Sequence, residues 1–339
     1  MKTIKACLSC VLLLAALFLG HAASAQISDQ WLLTINHSGE RLGILTIEGS
    51  GNAQQAYVDG GPIAMTVHGN AITMTMDYRD GGGRLLSREI TGTIDGNRMS
   101  GTLTAPHDGS TGTWRAEPWA GATDNAPPAP VDLTGIWSRI SAGTEKVHLD
   151  YTAAAQARVD AYHYLDDPAL RCISPGLVRL SGWPYPLEIM QNDKQVVILY
   201  ESFHEVRRIF TDGRDFPNDL PATGMGYSIG HWEGDTLVVE TRQLRPNFVD
   251  LAGQPLSGDA VVTEYISLSE DGNVLRSLLS LEDPAFYQRP ITRFRQWRRT
   301  PETAILEYDC DPYPFFRGLE IEGTLQDYWQ RMRQAARNR

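Results

Sequence analysis

The sequence predicts a mainly β protein made of two antiparallel β units with an amphipathic helix at the C-terminus. Short runs that alternate apolar and polar residues recur along most of the chain. Pairs of turn-forming residues, such as Gly-Gly, Gly-Asn and Asp-Gly, separate these runs at hairpin spacing. This combination is typical of antiparallel barrels and sandwiches.

The first 25 residues predict a signal peptide. Lys2 and Lys5 precede an apolar run at residues 11–19, and Ala23-Ser24-Ala25 supplies the small residues of a cleavage site before Gln26. The run is too short to anchor the chain in a bilayer. We therefore expect a periplasmic or secreted protein, with no membrane insertion after signal cleavage.

The charge balance argues against nucleic acid as a partner. The chain has 30 Lys and Arg residues against 41 Asp and Glu residues, and the signal peptide removes only basic ones. An acidic protein without a basic cluster is a poor match for nucleic acid or an anionic membrane surface. We expect a small molecule instead, and the sequence gives no indication of the oligomeric state.

Two of the four cysteines, Cys7 and Cys10, belong to the predicted signal peptide. The remaining pair, Cys172 and Cys310, predicts a disulfide in an oxidising compartment. No CxxC motif or Cys/His spacing indicates a metal site, and no fingerprint indicates a cofactor.

Residues 26–118 predict the first unit, a small barrel or sandwich. Eight short β-like runs lie at 31–36, 43–48, 55–58, 64–68, 71–78, 86–94, 98–104 and 112–116. Its ionisable residues are scattered, which favours a folding or docking module. The Ala/Pro-rich residues 119–131 predict a semi-extended linker.

Residues 132–339 predict the second unit, a lipocalin-like barrel or curved sheet. The predicted strands begin at 135–137 and continue at 187–191, 196–210 (bent, or two strands), 227–233, 236–242, 261–269, 274–282, 291–298 and 305–309. Helical spacing predicts helices at 151–164 and 324–336. The second helix has an apolar stripe of Leu325, Tyr328, Trp329 and Met332, which we expect to dock outside the sheet.

Several segments of the second unit resemble a family of exported bacterial proteins. They are Asp167-Pro168-Ala169-Leu170-Arg171-Cys172, residues 186–189, 197–201 and 204–209, and the run Ser228-Ile229-Gly230-His231-Trp232-Glu233-Gly234-Asp235-Thr236-Leu237-Val238-Val239. Most members of this large family are uncharacterised. The resemblance implies export and a β architecture, and it brings no activity.

Candidate site residues lie on two of the predicted strands. Strand alternation places Tyr200, His204 and Arg208 on one face of the run 196–210. His231 shares a face with Tyr227 and Glu233 on the next strand. A histidine in such a place can transfer protons near neutral pH. The alternative is that Glu201, Glu205, Arg207 and Arg208 form structural ion pairs between strands.

The first functional hypothesis is that the second unit binds a small, partly apolar molecule. The aromatic walls would come from Trp183, Tyr185, Tyr200, Tyr227 and Trp232, with His204, Arg208 and His231 as polar anchors. Glu264 is predicted to pair with Arg293 or Arg295 inside the barrel, either as a structural clamp or as an anchor for a ligand carboxylate.

Two alternatives from other classes stay open. A cofactor-free lyase, hydratase or isomerase would use His204 and His231 as acid and base, with Tyr200 and Glu233 beside them. A protein-interaction module would use its sheets only to dock a partner. A cavity lined by both histidines would favour the enzyme, a cavity without histidine would favour binding, and a filled core would favour docking.

Overall fold

The computed structural model describes residues 30–49, 54–79, 84–119, 131–140 and 149–337. The predicted signal peptide lies outside these residues, and so does all of the predicted linker except its first and last residues. Within them the chain forms two closed β-barrels and a small number of helices, so the predicted fold class is confirmed.

The first barrel has eight strands, and each pairs with the next in antiparallel fashion until β8 closes on β1. The strands are β1 (Gln30–Asn36), β2 (Glu40–Glu48), β3 (Gln55–Val58), β4 (Gly61–His68), β5 (Ala71–Arg79), β6 (Leu85–Asp95), β7 (Arg98–Ala105) and β8 (Ser110–Pro118). Each contains one of the predicted β-like runs. Strand alternation sends one set of side chains into the barrel, where Leu33, Leu45, Ile72, Met74, Ile90, Leu103 and Trp114 form the core.

One pair of glycines makes room for an aromatic ring in this core. Gly92 on β6 lies directly opposite Gly101 on β7. A Cβ atom on Gly92 would lie 2.6 Å from Cζ2 of Trp114, whose indole Nε1 donates a hydrogen bond to the Thr91 carbonyl at 2.9 Å. The ring therefore packs against bare backbone, which only glycine allows.

The second barrel has nine strands in the order β10-β11-β12-β13-β14-β17-β18-β19-β9. Its strands are β9 (Gly135–Arg139), β10 (Leu187–Asn192), β11 (Gln195–Tyr200), β12 (Val206–Phe210), β13 (Tyr227–Glu233), β14 (Thr236–Arg242), β17 (Val261–Leu268), β18 (Val274–Glu282) and β19 (Ile291–Arg299). A separate two-stranded sheet, β15 (Asn247–Phe248) and β16 (Pro255–Leu256), lies in the connection from β14 to β17. Only the β12–β13 pair is parallel among the described neighbours.

The predicted run 196–210 is two strands, joined by a tight reversal. A short 3-10 helix, Ser202–His204, follows β11, and Phe203 and His204 both have positive φ values (58° and 50°). The chain turns back here, so Ile198 pairs with Arg207 and Val197 with Arg208. The predicted shared face of Tyr200, His204 and Arg208 is therefore wrong, because alternation does not continue through a reversal.

Four helices complete the second unit: α1 (Ala153–Ala161), α2 (Leu177–Leu180), α3 (Tyr313–Ile321) and α4 (Leu325–Arg337). α1 is shorter than predicted because the Thr152 side chain caps its start and Tyr162 is already extended. α4 agrees with the predicted C-terminal helix, whereas α3 was not predicted. None of the helices in the described ranges has the length and apolar character needed to cross a membrane.

The helix pair is attached at one end of the second barrel. Tyr328 of α4 is buried between Phe315 and Phe316 of α3. The Cys172–Cys310 disulfide joins positions 138 residues apart, just before α3. The predicted strand 305–309 is wrong, because these residues are extended but have no strand partner. We call residues 301–312, which lead from β19 to α3, the strap.

The two barrels contact each other along their outer walls. The contacts include an Arg276–Glu40 ion pair at 3.0 Å and a hydrogen bond from Thr292 to Asp59. Gly60 has φ +83°, and a Cβ atom there would lie 2.6 Å from the Pro290 carbonyl oxygen. Glycine at this position therefore permits both the turn and the close approach of the second barrel.

Candidate functional site

The interior of the second barrel is almost filled by side chains. The remaining void has a volume of about 20 Å³, which is room for about one water molecule. Its lining is mainly aliphatic, and its polar members are Ser181, Tyr200, Arg207, Glu264 and Ser277. Neither His204 nor His231 lines it. Among the described residues, this void inside the barrel is therefore too small for a ligand.

A buried ion pair spans this interior. Arg207 is only 1% exposed and forms an ion pair with Glu264. Its guanidinium also donates to Ser228 Oγ at 3.1 Å and to Thr241 Oγ1 at 2.9 Å. Burial raises the pKa of the neighbouring Tyr200 phenol, which keeps that hydroxyl protonated. These contacts indicate a structural network that holds β12, β13, β14 and β17 together.

The predicted pairing of Glu264 with Arg293 or Arg295 is wrong, because both arginines have other partners. Arg295 donates to the Val178 carbonyl in α2 and to the hydroxyl of Ser181, the residue that follows α2. Burial lowers the pKa of Arg295 to about 10. Arg293 donates to Gln254 Oε1 at 3.4 Å. The reversal at residues 201–205 moved Arg207 inward, which is why it takes the place beside Glu264.

His204 lies beneath the strap at one end of the barrel. The backbone N–H of Tyr308 donates to His204 Nε2 at 2.7 Å, and the Leu306 N–H donates to Glu201 Oε2 at 2.9 Å. Nε2 is the acceptor in this contact, because a backbone N–H can only donate. The side chain therefore fixes the strap in this structure.

Four aromatic rings form a cluster at the same place, beside His204 and the strap. Trp183 lies 5.3 Å from Phe203 and 6.1 Å from Tyr185, measured between ring centroids. Tyr308 of the strap packs on Phe203 at 4.9 Å. These rings pack on one another, so the predicted ligand-binding residues Trp183 and Tyr185 belong to a closed cluster that holds the strap.

His231 lies elsewhere, on the exposed outer wall. Its side chain is 64% exposed, and Nε2 lies 2.7 Å from a carboxylate oxygen of Glu233. In the parallel β12–β13 pair, Ile209 lies beside Ser228. Val206 is three residues before Ile209 and His231 is three residues after Ser228, so Val206 and His231 are six strand positions apart, about 20 Å at the rise of a strand. The structure does not bring His204 and His231 together.

The other predicted aromatic residues also fall in separate places. Tyr227 lies on the outer wall, stacked on Phe210 at 5.2 Å. Trp232 lies on the opposite face of β13 and packs against the core. Arg208 is exposed on the outer wall, opposite Val197. The predicted ligand-binding residues are therefore divided among the barrel interior, the outer wall and the aromatic cluster beside the strap.

A larger cavity lies where the two barrels meet, and we call it the interbarrel cleft. Its volume is about 210 Å³. Its lining from the first barrel and the segment after it includes Ile44, Thr46, Glu48, Tyr57 and Trp119. The second barrel contributes Thr263, Tyr265, Leu278, Ser280, Glu282, Arg289 and Thr292, among others. The lining therefore combines three aromatic rings with hydroxyl, carboxylate and guanidinium groups.

Two aromatic units form opposite parts of this lining. Trp119 and Tyr265 have ring centroids 5.1 Å apart and planes at 81°. The Arg289 guanidinium lies 3.8 Å from the Tyr57 ring centroid and donates to the Tyr57 hydroxyl at 3.0 Å. Arg289 also forms an ion pair with Glu48. Contacts between the barrels thus hold both units in place.

The region around Tyr265 is acidic. Burial raises the pKa of its phenol, and the nearby carboxylates of Glu233 and Glu282 raise it further. Strand register explains the arrangement, because Tyr265 lies opposite Leu278 on β18, and Ser280 and Glu282 follow on the same outward face. The phenol therefore remains protonated and can donate a hydrogen bond into the cleft.

This cleft was not predicted from the sequence, although the sequence contains a signal for it. Ile44, Tyr265 and Leu278 occupy outward positions of their strands, where polar residues are usual. Ile44 and Leu278 are nevertheless 6% exposed, because the other barrel covers them. Apolar residues on the outer face of a barrel strand indicate a contact surface. These residues can be recognised as outward-facing only when the strand register of each barrel is known.

The described residues contain no group of three or more His, Cys, Asp or Glu side chains placed to hold a metal ion. Comparisons with known proteins add little to this geometry. No protein-family model matches the chain, and no curated protein matches it. One similar solved structure is a protein of unknown function from the DUF3598 family of Nostoc punctiforme PCC 73102, with 8% identity and a TM-score of 0.25. The match covers 80% of this chain and 96% of that one.

Proposed function

We propose that this protein is an exported binding protein for a small, partly apolar molecule, and that the ligand occupies the interbarrel cleft. The contrast between the two cavities carries this proposal. The void inside the second barrel has about 20 Å³, whereas the cleft has about 210 Å³. Ligand sites occur preferentially at junctions between domains, where two rigid walls enclose a concave space.

The chemistry of the cleft supports a binding role. Tyr265 and Trp119 offer apolar ring surface, and Thr46, Thr263 and Ser280 offer hydroxyl groups that can orient a ligand. Ligand pockets typically combine such apolar walls with a few polar groups. The export part of the proposal is supported by the N-terminal residues Lys2 to Ala25.

The alternative of an acid/base enzyme that uses His204 and His231 has less support. His204 accepts a backbone hydrogen bond from the strap, and His231 lies on the outer wall about 20 Å away along the strands. A shared substrate cannot contact both side chains at that separation. Protein docking remains the alternative that the nearly filled second barrel favours.

The experiment is native mass spectrometry of the exported protein, isolated without denaturation and scanned for co-purified small molecules. We expect a bound species in the wild type and in Tyr227→Ala, but its loss in Tyr265→Ala. The control is matched, because both tyrosines are half-buried on outward faces of the same barrel. A bound species that persists in Tyr265→Ala, or no bound species in any form, would count against the cleft.

A further inference from the structure

We infer that the ligand of the interbarrel cleft carries a positively charged ammonium group, held between Trp119, Tyr265 and Glu282. This inference rests on the proposed binding function and names the ligand class for the same site. The distribution of charge, the orientation of the rings and the size of the cleft each point to it.

The first step concerns the carboxylate at the end of β18. Glu282 lines the cleft and lies opposite Val261, on the same outward face as Ser280. Within the described ranges it forms no ion pair, whereas Glu233 pairs with His231. The Glu282 carboxylate is close enough to Tyr265 to raise the pKa of its phenol. One side of the cleft therefore carries a negative charge that no cation of the described residues pairs with.

The second step concerns Arg289, the guanidinium that lines the cleft. It forms an ion pair with Glu48, and its Nε lies 3.8 Å from an Asp150 carboxylate oxygen. Two carboxylates thus already neutralise this cation. Because Glu282 adds a further negative charge, an anionic ligand would meet net repulsion and a cationic ligand net attraction.

The third step concerns the aromatic rings. Trp119 and Tyr265 pack edge to face at 81°, and both rings contribute to the lining of the cleft. A cation in contact with a ring face is attracted by the negative face of the π system, and quaternary ammonium groups are recognised in this way. The cleft already contains one such contact, because Arg289 lies 3.8 Å above the Tyr57 ring.

The fourth step concerns size. The cleft volume of about 210 Å³ is below the range of about 300–1,000 Å³ that is typical of drug-sized ligands. A small alkylammonium or quaternary ammonium compound suits this space better than an extended ligand. Thr263 and Ser280 lie next to each other across β17 and β18, and their hydroxyls can bind a polar tail of the ligand.

The experiment compares cationic probes with a neutral probe that has the shape of one of them. Binding is measured by titration calorimetry and saturation-transfer NMR. The cationic probes are choline, tetramethylammonium and butylammonium, and the neutral probe is 3,3-dimethylbutan-1-ol, the carbon isostere of choline. We expect at least one cation to bind at least tenfold more tightly than the isostere. Glu282→Gln should weaken that cation about threefold to tenfold and leave the isostere unchanged. Glu302→Gln, an exposed change in the strap beyond the end of β19, should leave both unchanged.

The outcomes separate this inference from the proposed function. If the isostere binds as tightly as the cations and its binding is lost in Tyr265→Ala, the cleft binds ligands but the cationic class is wrong. If no ammonium probe binds while a neutral metabolite co-purifies in a Tyr265-dependent manner, the class is also wrong. If neither probes nor metabolites depend on Tyr265, both the inference and the proposed function fail.

Discussion

The two barrels have similar architecture but different interiors. The core of the first barrel is an apolar cluster that includes Leu33, Met74 and Trp114. The second barrel contains a buried Arg207–Glu264 pair and a second buried guanidinium, Arg295. The second unit also has the strap, which the Cys172–Cys310 disulfide joins to the segment before α2, and the packed helices α3 and α4; none of these has a counterpart among the described residues of the first barrel.

The difference shows how connectivity determines which interactions a barrel needs. In the first barrel, every strand pairs with its neighbour in sequence, so only the closing β1–β8 pair is not formed between consecutive strands. In the second barrel, β12 and β13 are parallel and joined through residues 211–226, and β9 closes the sheet with β10 and β19. The Arg207 network links β12 to β13, β14 and β17, where hairpin turns do not determine every neighbour.

The largest expected effect comes from breaking that network. Arg207→Met leaves the Glu264 carboxylate buried without its partner, which typically costs about 3–5 kcal/mol of unfolding free energy. Guanidinium denaturation combined with hydrogen exchange and mass spectrometry measures the change separately for peptides of each barrel. We expect the loss to appear in the second barrel and the first barrel to keep its protection.

A matched control uses the exposed pair on the same sheet. Arg242 and Glu240 form an ion pair on β14, with side chains 53% and 39% exposed. Arg242→Met should change the unfolding free energy by less than about 1 kcal/mol, because water solvates both charges. Arg207→Met combined with Glu264→Leu should recover much of the loss. Equal effects of Arg207→Met and Arg242→Met would contradict a structural role for burial.

The next effect comes from the disulfide. Replacing both Cys172 and Cys310 by Ser should cost the second barrel about 2–5 kcal/mol, because the bond closes a long loop of the unfolded chain. The first barrel contains no cysteine and should be unaffected. Thermal unfolding with and without dithiothreitol gives the same comparison in the wild type. A reductant effect confined to the first barrel, or none at all, would contradict this assignment.

Much of the fold could be predicted from sequence because strand alternation is a local signal. Ile72, Met74 and Met76 alternate with threonines on β5, and all three are buried in the first barrel. The run 196–210 is two strands, one of the two predicted forms, but the predicted faces were wrong where the signal stopped being local. Phe203 and His204 adopt positive φ values that their residue types do not predict, and the reversal exchanges the faces of Arg207 and Arg208.

The candidate site was less predictable because it is formed between the barrels. Tyr265 and Trp119 are 146 positions apart in the sequence, and their contact depends on how the barrels dock. The conformation of the strap was unpredictable for the same reason. Residues 305–309 have strand-like sequence, but their N–H groups at Leu306 and Tyr308 are bound by Glu201 and His204 side chains instead of a neighbouring strand.

The smallest expected effect tests whether the difference between the barrels is confined to their interiors. Each barrel has a hairpin turn in which an aspartate accepts hydrogen bonds from its neighbours. Hydrogen bonds from the Ser110 hydroxyl and N–H lower the pKa of Asp108. Bonds from Ser269 and Asn273 lower the pKa of Asp271 to about 2.

A lowered folded-state pKa means that these carboxylates stabilise the protein above their unfolded pKa of about 4 and lose that contribution as the pH falls toward 2. Asp108→Asn and Asp271→Asn should therefore lower the melting temperature slightly at pH 6, and the gap from wild type should close on acidification. Carboxyl NMR titration measures the two pKa values directly. Both turns are exposed hairpins, so we expect closely similar behaviour in the two barrels. A pH-dependent gap for only one aspartate would show that the barrels differ in their turns as well as in their interiors.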